Sequence, residues 1–447
     1  MTSTMAGLPF WQLTFDADGD QDAGERDRFL AELGASGVTD LIVFAHGWNN
    51  DRGVATRLYE RFFGVLAAQL PVTQARTIGL AGVFWPSQRW SDEPIPDFAP
   101  PAPAAGGGAA SLHERETGSA DPAIDAETLA GLQALFPAGA DALAEMAALL
   151  GGPPNGPALA RFHDLLAEFA AKTGSADDDG ENADPPTVPP MLADGGPELF
   201  ERYRDTLRGL GVELTDDAGG GAAGLGDALH GIWQGAKEAL RQTTYWQMKN
   251  RAGTVGRTGL GPLLGRLGGV RVHLVGHSFG ARVVSYSLAG LPAGPSPVRA
   301  VTLLQGAFSH FAFARPLPFA AGRNGGLAGM LERISGPLTV CFSSHDMAVG
   351  TMYPLASLAA HDDSAGADDA MFRWGGMGHD GAQGVQAALD PLRPAGPSTS
   401  YRFAAGKALN IDASEIVRAG GPPSGAHSDI VHPELTWVVL LAGGLTT

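Results

Sequence analysis

Residues 270–290 read VRVHLVGHSFGARVVSYSLAG: a largely apolar run that reads as a buried strand, then Gly-His-Ser-Phe-Gly, then small and apolar residues that read as a helix. In a G-x-S-x-G turn between strand and helix the serine takes a strained backbone. Glycines flank it because the two segments approach too closely for a Cβ. The helix that follows points its N-terminus at the reacting oxygen. A chain with 63 glycines generates the bare pattern by chance, so the flanking strand and helix decide the reading, and here both are present. Ser278 is the candidate nucleophile, and the amide of Phe279 is a candidate donor to an oxyanion.

Outward from this turn the same apolar punctuation recurs. LIVFAH (41–46), IGLAGVFW (78–85), VRAVTLLQG (298–306) and LTVCFSS (338–344) are bounded by turn residues, with KALNIDAS (407–414) a weaker last run. Continuous apolar runs of this length suit strands covered on both faces, so the expected class is α/β, a mostly parallel sheet flanked by helices.

Hydrolysis at a carbonyl needs a second oxyanion donor, and the strand ending in His46-Gly47 leads into a loop where the amide of Trp48 fits that role. The competing reading is an ordinary strand-to-helix turn, with Asn49 or Asn50 capping the helix DRGVATRLYERFF. The acid is expected on a strand end after the serine and before the histidine, and Asp346 in LTVCFSSHDMAVG occupies that place. Among the later histidines His427 lies in a loop after the last strand and before the apolar stretch TWVVLLAGG, so it is the candidate base. His361 and His379 precede the last strand. His432 begins HPEL and reads as a cap or surface residue. His345, next to the acid, points away from it in extended chain. Asp362, Asp363, Asp368 and Asp369 read as a solvated charge run. Ser87 and Asp92, in WPSQRWSDEP, either line the pocket or are polar turn residues. Lys249, Arg251 and Arg257 read as a solvated helix face.

The chain has 447 residues and 44% hydrophobic content, enough for a large core, and a formal net charge of −18. Residues 97–227 carry 23 acidic and 6 basic side chains, leaving 25 against 24 elsewhere. That segment opens with PAPAAGGGAA, contains SADDDGENADPPTVPP and closes with DDAGGGAAGLGD, all linker compositions. Between them Leu129/Leu132/Leu135/Phe136, Phe162/Leu165/Leu166/Phe169 and Leu199/Phe200/Tyr203/Leu207 fall at helical spacing. The expected organisation is a core at 1–96, an acidic helical insertion at 97–230 and the rest of the core at 231–447. The negative charge argues against nucleic-acid and anionic-membrane partners. No run of residues is long and apolar enough to span a bilayer, and the N-terminus lacks a signal-like run, so a cytoplasmic protein is expected. Cys341 is the only cysteine, which excludes an internal disulfide and a cysteine-built zinc site; in LTVCF it reads as a buried small hydrophobe.

With HGWNN at 46–50, FWPS at 84–87, GHSFGARVVS at 276–285, SSHDMAV at 343–349 and HSDIVHPEL at 427–435, the chain resembles a group of poorly characterised bacterial α/β-hydrolases. The resemblance covers residues 40–96 and 240–440. It implies the α/β-hydrolase fold and a Ser278–His427–Asp346 triad, but no particular substrate; the acidic insertion is a departure from the pattern. Acyl transfer to water by such a triad requires no cofactor or metal. The reading that follows is an esterase- or lipase-like hydrolase of a small-molecule or lipid ester, an uncharged small ester before an acyl lipid. Two other classes stay open: a non-catalytic scaffold whose acidic insertion binds a protein partner, and a secreted lipase-type antibacterial effector exported without a cleaved signal.

Overall fold

The computed structural model describes residues 3–87, 90, 122–174, 189–193, 195–212, 214, 225–353 and 372–446. Among the described residues nine strands form one sheet: β1 (Ser3–Met5), β2 (Leu8–Thr14), β3 (Asp40–Ala45), β4 (Ile78–Phe84), β5 (Arg271–His277), β6 (Val298–Leu304), β7 (Leu338–Phe342), β8 (Ala388–Pro391) and β9 (Ala408–Asp412). Their order is β1-β2-β4-β3-β5-β6-β7-β9-β8, and every pair is parallel except β1 with β2. The main helices are α1 (Ala23–Ala35), α2 (Arg52–Ala67), α4 (Ala126–Leu135), α5 (Ala140–Leu150), α6 (Gly156–Thr173), α7 (Gly196–Gly209), α8 (Leu225–Thr254), α10 (Phe279–Gly290) and α12 (Pro433–Gly443), with single turns α3 (Val72–Ala75), α9 (Gly261–Leu264) and α11 (Met377–Asp380).

Strands β3 and β4 are buried at every position, as continuous apolar runs require when helices cover both faces. Alternation along β3 divides its side chains between two cores. Leu41, Val43 and Ala45 join Phe29 of α1, Met248 of α8 and Val283 of α10, whereas Ile42 and Phe44 join Phe62 of α2 and Val438 of α12. Cys341 is buried in β7, and burial pushes its thiol up to about 12.

Helices α4 to α7, from the acidic segment, build on the first of these cores: Leu132, Met146, Phe162 and Phe200 belong to the same cluster as Val43. All three helical repeats read from the sequence lie within α4, α6 and α7 or at their ends. Helix α8 runs without a break across residue 230. The three linker-like runs lie wholly or largely outside the described residues, as do Asp92, His361 and the aspartates at 362, 363, 368 and 369. No helix among the described residues is long and apolar enough to cross a membrane.

Strand register levels the carboxyl ends of the central strands. Ala45 pairs with Gly276, His277 with Leu304, and Leu304 with Cys341. The residues that follow these ends, Gly47, Ser278, Gln305 and Asp346, therefore share one rim of the sheet, the edge where open parallel sheets place ligands.

Candidate active site

Ser278 sits between β5 and α10 with φ 55° and ψ −124°, a conformation strained for any residue with a side chain. The flanking glycines allow it. A Cβ on Gly276 would strike the backbone of Gly280 and Ala281, and one on Gly280 would strike the carbonyl of Ala45. The serine carbonyl accepts from the amides of Ala281 (3.1 Å) and Ala307 (3.2 Å), which fixes the turn from both sides.

The structure brings the three predicted side chains together. His427 Nε2 lies 2.8 Å from Ser278 Oγ, and His427 Nδ1 lies 2.8 Å from Asp346 Oδ2. Partner chemistry sets the proton positions: Nδ1–H donates to the carboxylate, leaving the Nε2 lone pair to accept from the serine hydroxyl. Asp346 is fully buried and the imidazole is 13% exposed, so the pair meets solvent only on the base side.

Except for His432, the side chains that make the supporting bonds were not singled out in the sequence. Asp346 Oδ2 also accepts from Gln305 Nε2 (3.2 Å), and Oδ1 accepts from the amide of Val349 (3.0 Å). Gln305 takes φ 48° directly after β6, and its polar side chain ending an apolar run was the available signal. His277 Nε2–H donates to the main-chain carbonyl of His427 at 2.9 Å. Burial drives His277 down to about 3, so it stays neutral and keeps that donor. The loop carrying His427 is tied to the acid loop by a bridge between Asp346 and Gly425 and by the amides of Met347 and Ala348 donating to Ser424 O (3.2 Å each). Asp429 closes the loop on itself, accepting from the amides of Arg418 and Ala419 (2.9 Å each) and from His432 Nε2 (2.7 Å). Burial opposes the charge on Asp429, but these donors outweigh it and hold the carboxyl low; the same bond raises His432.

Trp48 and Phe279, the predicted oxyanion donors, flank the serine. Neither amide has an acceptor among the described residues. The α-carbon of Gly47 packs against Ser278 so closely that a Cβ there would lie 2.6 Å from Ser278 Cβ. Beside them stands an aromatic wall: Trp48 meets Tyr245 edge-on at 5.2 Å, and Tyr245 tilts over Phe279 at 4.5 Å and toward Tyr353 at 6.4 Å.

Several readings need correction. Asn49 and Asn50 do not cap α2; Asp51 does, accepting from the amide of Val54 at 2.8 Å. Asn49 instead takes φ 61° and accepts from the Trp90 amide (2.6 Å), and Asn50 Nδ2 donates to the carbonyls of Gly47 and Trp48. Ser87 does not stop at a polar turn: it bonds the same loop. Lys249 and Arg251 are not on a solvated face. Lys249 is buried and donates to Tyr353 Oη (3.1 Å), while Arg251 donates to the carbonyls of Pro86 and Leu135 and burial lowers it to about 10. Arg257 is exposed, over the ring of Tyr286. His379, set aside by position, lies against the acid loop with Nδ1 3.2 Å from Asp346 O. His345 is exposed, and His432 stands at the first position before α12 without a side-chain cap bond.

No family model, no curated protein and no solved structure matches the chain.

Proposed function

We propose that the chain is a serine hydrolase of the α/β-hydrolase type that cleaves a carboxylic ester through an acyl-enzyme. The carrying observation is the bonded chain Asp346–His427–Ser278, with both links at 2.8 Å, assembled from three loops on one rim of a parallel sheet. Ser278 Oγ attacks the ester carbonyl while His427 Nε2 takes its proton, and the amides of Trp48 and Phe279 receive the developing oxyanion. His427 then returns the proton to the departing alcohol. In the second half it deprotonates water, which displaces the acyl group and regenerates the serine. Asp346 remains a carboxylate throughout, orienting the imidazole and stabilising its cation.

The partly exposed ring of Trp48, backed by the buried rings of Tyr245 and Phe279, favours an uncharged, apolar group next to the reacting carbonyl. Esters of short uncharged acids are therefore the first substrates to try. The test is turnover of p-nitrophenyl esters from acetate to palmitate by wild type and Ser278→Ala. We expect hydrolysis by wild type and a loss of at least about 10³-fold in kcat for the variant. Equal activity in the two proteins would refute the assignment.

A further inference from the structure

The two motifs HGWNN and FWPS converge on one peptide bond. The carbonyl of Gly47 accepts from three side chains: His46 Nδ1 at 2.9 Å, Asn50 Nδ2 at 3.2 Å and Ser87 Oγ at 3.2 Å. The neighbouring carbonyls are also held, that of His46 by Trp85 Nε1 (3.0 Å) and that of Trp48 by Asn50 Nδ2 (2.7 Å). Ser87 completes its own accounting by accepting from the amide of Asn50 at 3.3 Å. Three consecutive carbonyls of the loop after β3 are thus claimed, two of them by side chains from the end of β4.

A trans peptide places its N–H opposite its C=O. Fixing the Gly47 carbonyl toward the β4 side therefore fixes the Trp48 N–H on the other side, and the Gly47 α-carbon that leads into this peptide rests on Ser278. Donors on a carbonyl also draw electron density from the amide nitrogen, which makes its N–H a stronger donor. From this juxtaposition we propose that Ser87 and Asn50 are positioning residues that aim and polarise the Trp48 amide as an oxyanion donor. The inference rests on the serine-hydrolase reading for its catalytic consequence but not for the clamp itself. His46 supports the clamp in its neutral form, since burial lowers it to about 4 and leaves one ring nitrogen to donate.

The peptide can be observed alone. Of the eight tryptophans only Trp48 follows a glycine, so full-length protein carrying [1-¹³C]glycine and [¹⁵N]tryptophan gives a single carbonyl–amide cross-peak from Gly47–Trp48. We expect Ser87→Ala and Asn50→Ala to move the Gly47 carbonyl resonance upfield. Per titrated Ser278, each should lower kcat on a p-nitrophenyl ester by about tenfold to a hundredfold at little change in KM, a fraction of the loss caused by deleting an oxyanion donor. Affinity for a trifluoromethyl ketone, whose adduct on the serine carries the oxyanion, should fall by the same factor, and Ser87→Thr should restore all three readouts. An unmoved carbonyl in Ser87→Ala, or a moved one with kcat within twofold of wild type, would overturn the proposal. A wild-type Trp48 amide that ignores a bound ketone would overturn it too, while leaving the nucleophile standing. If wild type neither turns over esters nor binds the ketone, the hydrolase reading fails and the positioning role with it; the carbonyl shift then separately scores the clamp as architecture.

Discussion

Ser278 holds a backbone conformation that costs about 1–3 kcal/mol and survives only because its surroundings leave no alternative. The pressure on the site comes from both sides of that residue. Gly280 lies against the carbonyl of Ala45, and Gly47 lies against the serine itself, so Ser278, the proposed nucleophile, is wedged between two places where only hydrogen fits. We expect Gly47→Ala to lower ester turnover by about a hundredfold, because the new methyl must displace either the serine or the loop whose amide serves as donor; turnover equal to wild type would contradict this. At this scale the sequence was legible where chemistry dictates residue type. A nucleophile, a carboxylate and an imidazole have few substitutes, and fold order selects among the copies. Gln305, His277, Asn50 and Ser87 were not legible, because each acts by bonding a carbonyl or carboxylate that only the folded chain brings near. Asn50 misled for a further reason: a polar residue two positions before a helix has the same signature as a cap, and the neighbouring Asp51 holds that office.

Among the elements, the segment from Val417 to His432 has the least regular structure near the site and the greatest need of fixing. It bears the base but no helix or strand, so its geometry rests on Asp429, which gathers two amides and His432, and on the bridge to the acid loop. The pair has a definite pH window. His432, raised by its bond to Asp429, contributes fully below its unfolded value of 6.5 and less as pH rises through the folded value. Asp429, lowered despite burial, contributes fully above 3.8 and less as pH falls through its folded value. We expect Asp429→Ala to cost about 1–2 kcal/mol in urea unfolding at pH 5–6 and to reduce kcat; an unchanged midpoint would show that the loop is fixed by other means. The elements themselves were unequally readable. Strands β3 to β7 announced themselves as continuous apolar runs. Strand β8 did not, because ALDP is short, ends in proline and lies at the sheet edge. The early part of α8 was missed because residues 231–250 are buried on every side, Gln234, Glu238 and Arg241 included, and a helix with no solvent face shows no stripe.

At the scale of the whole molecule, burial lowers three interior histidines among the described residues, His46 to about 4, His277 to about 3 and His273 in the same direction. In the unfolded chain each takes a proton near 6.5, whereas in the folded one it does so only at lower pH. Between those values the unfolded state binds more protons, so stability falls as pH falls, by about 1.4 kcal/mol per pH unit for each histidine that behaves so. His432 acts in the opposite sense and offsets one of them. We expect the urea midpoint to drop between pH 7 and pH 5, and His277→Gln to flatten that slope by about one proton's worth. A midpoint that holds steady or rises on acidification would contradict the burial argument. The same scale contains the acidic segment, whose helices complete a core begun by the sheet. Its charge was plain in the sequence, whereas its sharing of that core depends on contacts with α8 that composition does not encode.

The relay from Asp346 through His427 to Ser278 has one direct chemical signature. Folded wild-type protein treated with an active-site fluorophosphonate should gain the mass of one adduct, mapped by peptide sequencing to Ser278, and Ser278→Ala should gain none. An unlabelled wild type, or an adduct that persists in the alanine variant, would mean that the serine at this turn is not the activated nucleophile.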